Sequence, residues 1–227
     1  ANESCFSLPE PMRQELAGRL AQISFHRYPD PASRELMERA ADYFGVQPEQ
    51  VAAGCGSDEL ISIITNSFCQ KGQMMMNLSP DFSMYRFYAD LAELGVCQEE
   101  KDADYLIAPE EIIAAVRREN PQMLIFSNPC NPAGRGLTRE QVRQVVEALP
   151  DTLIVLDEAY MDFWDQSLLP QAVAYPNVLV LKTLSKACGM AAIRLGFAIG
   201  CAELIGEINK SRSPFNINTM TQVAGAY

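Results

Sequence analysis

A chain of 227 residues fits one or two domains, and its 48% hydrophobic content is ample for one large core. A net charge of -11 argues against a nucleic-acid partner, which demands clustered Lys and Arg, and the apolar runs are too short for a membrane span or a signal peptide. Seven cysteines, an odd number without a Cys-x-x-Cys pair, indicate neither a zinc site nor a disulfide framework and read as reduced thiols of a cytoplasmic protein.

In chain order, residues 1–28 read as an arm containing a helix over 9–23, opened by Pro9 and given an apolar spacing by Leu16, Leu20 and Ile23. The segment from His26 to Pro31 is a rigid turn, because Pro29 and Pro31 restrict themselves and the residues before them. His26, the only histidine, reads as structural or interfacial from its place beside that turn. A helix over 33–44 follows, ended by Gly45.

From there the pattern alternates. Strands are predicted over 74–78, 96–98, 123–126, 153–156, 178–181 and 196–199, and helices over 58–69, 82–94, 110–119 and 138–149. Continuous apolar strands separated by helices argue for a three-layer α/β/α fold around a mostly parallel sheet. The run Met74-Met75-Met76 reads as a buried strand, whose alternation would send successive sulfurs to opposite faces. In such sheets ligands bind at the carboxyl ends of the strands, where the chemistry-bearing segments fall.

The first of these segments is Gly54-Cys55-Gly56-Ser57-Asp58-Glu59, at the start of a helix with Leu60, Ile61 and Ile64 on its apolar face. Glycines there permit close approach to a phosphate and the helix N-terminus favours an anion; the simpler reading is a Ser57 N-cap. No strand leads cleanly into it. Phe82, after Ser79-Pro80, reads equally as a ring-stacking residue and as core packing. Asn131 stands in Asn128-Pro129-Cys130-Asn131-Pro132-Ala133-Gly134, where a turn needs no second Asn-Pro and an amide could donate to a ring oxygen. Asp157 follows the strand Leu153-Ile154-Val155-Leu156; there it could pair with a protonated ring nitrogen, or cap the next helix together with Glu158. Finally, Thr183-Leu184-Ser185-Lys186 precedes Arg194-Leu195-Gly196. A lysine among hydroxyls, near an arginine, suits covalent capture of an aldehyde that carries a phosphate.

Together, in this order and spacing, these segments resemble the fold-type I pyridoxal-phosphate enzymes of aminotransferase class I/II, and within them the histidinol-phosphate aminotransferases. The likeness extends from Asn2-Glu3 through Arg27-Tyr28-Pro29 and Ser83-Met84-Tyr85 and covers the whole chain. It implies that pyridoxal 5'-phosphate forms a Schiff base with Lys186, which also shuttles a proton, and that Asp157 pairs with the pyridine nitrogen. It assigns Asn131 and Tyr160 to the phenolic oxygen, Phe82 to stacking, and Ser57, Asp58, Thr183, Ser185 and Arg194 to the phosphate. Tyr28 would reach the phosphate of a partner subunit, which makes the expected assembly a homodimer. Phe82 stands where close relatives often carry tyrosine, so the ring can still stack but brings no hydroxyl to hydrogen-bond.

The resemblance also implies an amino-acid or amino-phosphate donor and 2-oxoglutarate as substrates. A threonine-phosphate decarboxylase, an aromatic amino-acid aminotransferase and, outside catalysis, a cofactor-sensing regulator are the competing readings. The family's chain continues into a smaller domain carrying the arginine that binds the substrate carboxylate. This chain is therefore expected to be a fragment: an arm over 1–30 and a cofactor-binding large domain over 31–227.

Overall fold

The computed structural model describes residues 2–227, so Ala1, at the head of the expected arm, lies outside the described residues. Seven strands form one sheet: β1 (Val51–Cys55), β2 (Met74–Ser79), β3 (Gly95–Glu100), β4 (Met123–Ser127), β5 (Leu153–Asp157), β6 (Val178–Thr183) and β7 (Leu195–Gly200). Their spatial order is β1-β7-β6-β5-β4-β2-β3. The ladders from β3 to β6 are parallel, and β7 runs antiparallel to both β6 and β1. The fold is thus the expected mostly parallel α/β/α arrangement, with one reversed strand.

Helices follow most strands: α1 (Glu10–Leu20), α2 (Arg34–Phe44), α3 (Gly56–Phe68), α4 (Met84–Leu91), α5 (Pro109–Glu119), α6 (Arg139–Ala148), α7 (Leu169–Ala172), α8 (Ala202–Ser211) and α9 (Thr219–Gly225). Alternation along the strands divides the core in two. On one face Met76, Leu124, Ile154, Leu156 and Val180 pack with side chains of α2, α5 and α6. On the other Met75, Met123, Val155, Leu179 and Ala198 pack with α3, α4 and α8. Met75 and Met76 therefore lie on opposite faces, as a buried strand requires.

Three expectations need correction. A strand does lead into the Gly54–Glu59 segment: β1 pairs Ala52 with Ala198 and Gly54 with Gly196. Its small residues carry no alternating signal, and the pairing is supplied by β7, far away in sequence. Ser57 is not the N-cap, because α3 starts at Gly56 with Cys55 at the cap position and no side-chain cap bond. Instead Glu59 reaches back, its Oε2 accepting from the Cys55 backbone N–H at 2.6 Å. The helix predicted over 82–94 is shorter, because Glu93 adopts a left-handed φ of 54° and lets the chain turn into β3.

Among the described residues no helix is long and apolar enough to cross a membrane, and all seven cysteines are free.

Candidate functional site

The strand ends of β4, β5 and β6 and the first turn of α3 surround a cavity of about 480 Å³. Its lining includes Ser57, Asp58, Phe82, Asn131, Asp157, Tyr160, Thr183, Ser185, Lys186 and Arg194. Tyr28 alone of the predicted positions is elsewhere. It is 82% exposed and stacks on Phe215, with ring centroids 4.8 Å apart.

Asp157 closes the buried floor. Its register partners are Ser127 on β4 and Leu181 on β6. Oδ2 accepts from the Tyr85 hydroxyl at 2.9 Å, and Oδ1 accepts from the Ala159 backbone N–H at 3.1 Å. Burial pushes its carboxyl up to about 6; the two hydrogen bonds hold it down, and Asp81 and Asp58 push it further up. Among the described residues it forms no ion pair, so its charged form lacks a cation. Tyr85 is wholly buried, and burial together with Asp157 and Asp81 holds its hydroxyl well above the usual tyrosine range. Phe82 meets Tyr85 edge to face at 5.5 Å, so the cavity wall and the core share this ring.

At one corner Asn131 and Tyr160 converge. The Asn2 side-chain amide donates to Tyr160 Oη at 2.9 Å and to Asn131 Oδ1 at 3.3 Å, so a single polar group can contact both. Lys186 Nζ donates to the Asn2 carbonyl at 3.2 Å and lies 5.5 Å from the centre of the Tyr160 ring. Asn131 is itself fixed from below, its backbone N–H donating to Ser127 Oγ at 2.9 Å.

The opposite end is polar and open. Arg194 Nη1 donates to Ser185 Oγ at 3.3 Å, and Nη2 faces Asp58 Oδ2 at 3.5 Å. The Thr183 hydroxyl accepts from the Ser185 backbone N–H at 3.2 Å, which shapes the turn ahead of Lys186. Two glycines set this geometry. A Cβ on Gly56, whose φ is +79°, would come within 2.5 Å of Arg194 Nη2; one on Gly196 would come within 2.5 Å of the Ser57 backbone nitrogen. The free N–H groups of the first turn of α3 thereby lie close against β7, beside a guanidinium, as an anion site requires.

Tyr85 and Asn2 were not singled out as site residues from the sequence. The only pointers were their places in the resemblance, Tyr85 in Ser83-Met84-Tyr85 and Asn2 in Asn2-Glu3; neither segment showed that Asn2 would touch the site from 129 positions away.

This donor set fits pyridoxal 5'-phosphate. It offers an amine, a buried carboxylate without a cation, an Asn/Tyr pair converging on one polar atom, an aromatic wall and an anion site, all in one cavity.

The family model for aminotransferase class I and II matches residues 1–226, and the chain belongs to that family. Histidinol-phosphate aminotransferase of Clostridium novyi (strain NT) is 39% identical over 225 residues, covering 99% of this chain and 63% of the relative. The enzyme of that name from Clostridium kluyveri is 36% identical, covering 99% of this chain and 64% of the relative. The chain thus spans less than two thirds of the length of these relatives. Among solved structures, histidinol-phosphate aminotransferase from Sinorhizobium meliloti in complex with pyridoxal-5'-phosphate superimposes with a TM-score of 0.92 at 26% identity, covering all of this chain and 62% of that one. L-threonine-O-3-phosphate decarboxylase from Porphyromonas gingivalis, at 21% identity and a TM-score of 0.86 over 99% of this chain and 66% of that one, shares the fold.

Proposed function

We propose that this member of the class I and II aminotransferases is the cofactor-binding portion of a pyridoxal-phosphate enzyme of the histidinol-phosphate type, transferring an amino group between an amino-phosphate and 2-oxoglutarate. The observation that carries the reading is the gathering of Lys186, Asp157, Asn131, Tyr160, Ser185 and Arg194 around one cavity, with Asp157 buried and, among the described residues, in no ion pair. When bound, the cofactor supplies an electrophilic carbon and a protonated ring that withdraws electrons from the bond being broken.

The protein's share of the work follows from its residues. Lys186 Nζ would hold the cofactor and, as a free amine, would carry a proton at that same atom. Asp157 would keep a proton on the ring nitrogen, and its charged form would gain there the cation that the described residues do not provide. Tyr85 and the Ala159 N–H aim the carboxylate from behind. Asn131 and Tyr160 orient the phenolic oxygen, Phe82 covers a ring face, and Ser57, Asp58, Thr183, Ser185 and Arg194 bind the phosphate. Tyr28, exposed on this chain, completes the phosphate site of a second subunit in a homodimer. Residues 31–227 form the large domain, residues 1–30 an arm, and the anchor for the substrate carboxylate falls in the part of the relatives' length that this chain does not span. The type assignment rests on the likeness to histidinol-phosphate aminotransferases, since cofactor contacts alone do not distinguish an aminotransferase from a phosphoamino-acid decarboxylase.

The test is a spectrum with added pyridoxal phosphate, followed by borohydride reduction and peptide mapping. Label on Lys186, absent in Lys186→Ala, is the expected result. Label spread over surface lysines would sink the assignment.

A further inference from the structure

A second cavity of about 340 Å³ shares Ser127 with the proposed cofactor cavity, and on its wall a lysine touches a cysteine. Lys101, just after β3, places Nζ 3.0 Å from Sγ of Cys130, in the turn after β4. The same amine donates to the Pro80 carbonyl at 2.8 Å and faces Asp81 Oδ2 at 3.5 Å. The lysine side chain is 5% exposed, that of Asp81 is wholly covered, and Cys130 is buried. Asp102 and Arg135, which also line the cavity, are exposed, so the cavity that Cys130 lines opens to solvent.

The three groups have complementary chemistry. A thiol sulfur is the protein's readiest atom for stepwise oxidation, and an amine held against it can be oxidised together with it, the oxygen on sulfur becoming bonded to nitrogen before the sulfur proceeds to the higher acids. The amine reacts only after losing its ammonium proton. Asp81 is placed to accept that proton, and burial holds its carboxyl above the usual range in spite of Lys101. Among the described residues no other cysteine sulfur receives a hydrogen bond from a lysine.

We propose that Lys101 and Cys130 are a site of oxidative covalent modification, joined by a single oxygen atom in an Nζ–O–Sγ bridge. One N–H and one S–H bond break, and one O–N and one S–O bond form. One dioxygen balances the change, one of its atoms entering the bridge and the other leaving as water with the two displaced hydrogens; two molecules of hydrogen peroxide, releasing three waters, do the same. Sulfur and nitrogen are oxidised and the oxidant is reduced. Two equivalents of a dithiol return thiol, amine and water.

The bridge would act on the cofactor cavity through two contacts. It removes the lysine's positive charge from Asp81. Asp81 accepts from the Ser127 backbone N–H at 3.2 Å and from the Ser127 hydroxyl, and Ser127 Oγ holds the Asn131 backbone. Oxidation is therefore expected to loosen Asn131.

The experiment is independent of the cofactor reading. The purified full chain is treated with graded hydrogen peroxide, digested with trypsin without reductant, and mapped by mass spectrometry. The expected product joins the Lys101 and Cys130 peptides, weighs their sum plus one oxygen less two hydrogens, resists cleavage after Lys101 and separates on adding dithiothreitol. It is absent from Lys101→Arg and from Cys130→Ser, whose folding is checked by circular dichroism; the wild-type map stands without either. Cys130 oxidised but unlinked, a link without the oxygen, a link to another lysine, or an unmodified Cys130 beside oxidised Cys5, Cys55 and Cys188 would each overturn the proposal.

Discussion

Asp157 and Glu158 are adjacent, acidic and buried, yet the fold treats them in opposite ways. Glu158 is fully provided for: Lys182 Nζ lies 3.0 Å from Oε2, the Ser167 hydroxyl donates at 2.5 Å and the Leu168 backbone N–H at 3.0 Å. Asp157 receives a tyrosine hydroxyl and one backbone N–H and, among the described residues, no cation. The physical difference is that a buried carboxylate with a counter-ion is part of the structure, whereas one without is costly unless something else supplies the charge. Neighbours in sequence, they separate into a structural group and a candidate functional group by what packs against each.

Removing each carboxylate in turn should break this contrast. Glu158→Ala leaves the Lys182 ammonium buried and unpaired, and is expected to cost about 3–5 kcal/mol in chemical denaturation. A loss within experimental error would mean that the pair is structurally idle.

Asp157→Asn should do the reverse in cofactor-free protein. The folded-state value of about 6 lies above the ordinary 3.8, so the fold favours the protonated acid. The stability contributed by this group is complete below about pH 4 and is lost as pH rises through 6. The amide variant is therefore expected to gain up to about 3 kcal/mol at pH 7–8 and nothing at pH 4, while its affinity for pyridoxal phosphate falls. Thermal melts over this pH range check it; a difference that does not vary with pH would count against a buried, unpaired Asp157.

A smaller change sharpens the picture. Tyr85→Phe deletes one donor to the charged carboxylate and should cost about 1–3 kcal/mol at pH 7–8. It should also move the Asp157 titration, followed by carboxyl carbon NMR, to higher pH. An unmoved midpoint would reduce Tyr85 to a packing residue.

Much of the fold was legible from the sequence because burial on both faces leaves continuous apolar runs such as Leu153-Ile154-Val155-Leu156, and because capping groups mark helix starts, as Thr138 does by accepting from the Gln141 N–H. What escaped was set by remote pairing. Strand β1 is made of small residues and is recognisable only through β7; the reversed direction of β7 itself has no local signal. The final helices α8 and α9 were missed as well. In the cavity, every predicted lining position stood beside a strand end or a helix start, where side chains point at the ligand edge of the sheet. Tyr85, by contrast, meets Asp157 across 72 positions, and Lys101 meets Cys130 across 29.

The sequence by itself determined which chemical groups would be available and on which edge of the sheet they would stand, since strand alternation, turns and caps act over a few residues. Only the tertiary structure decided what each group would be: Asp157 an unpaired acid, Glu158 a paired one, Lys101 a partner for sulfur. Ionisation and reactivity depend on desolvation and on neighbours brought from distant segments, and neither exists until the chain has folded.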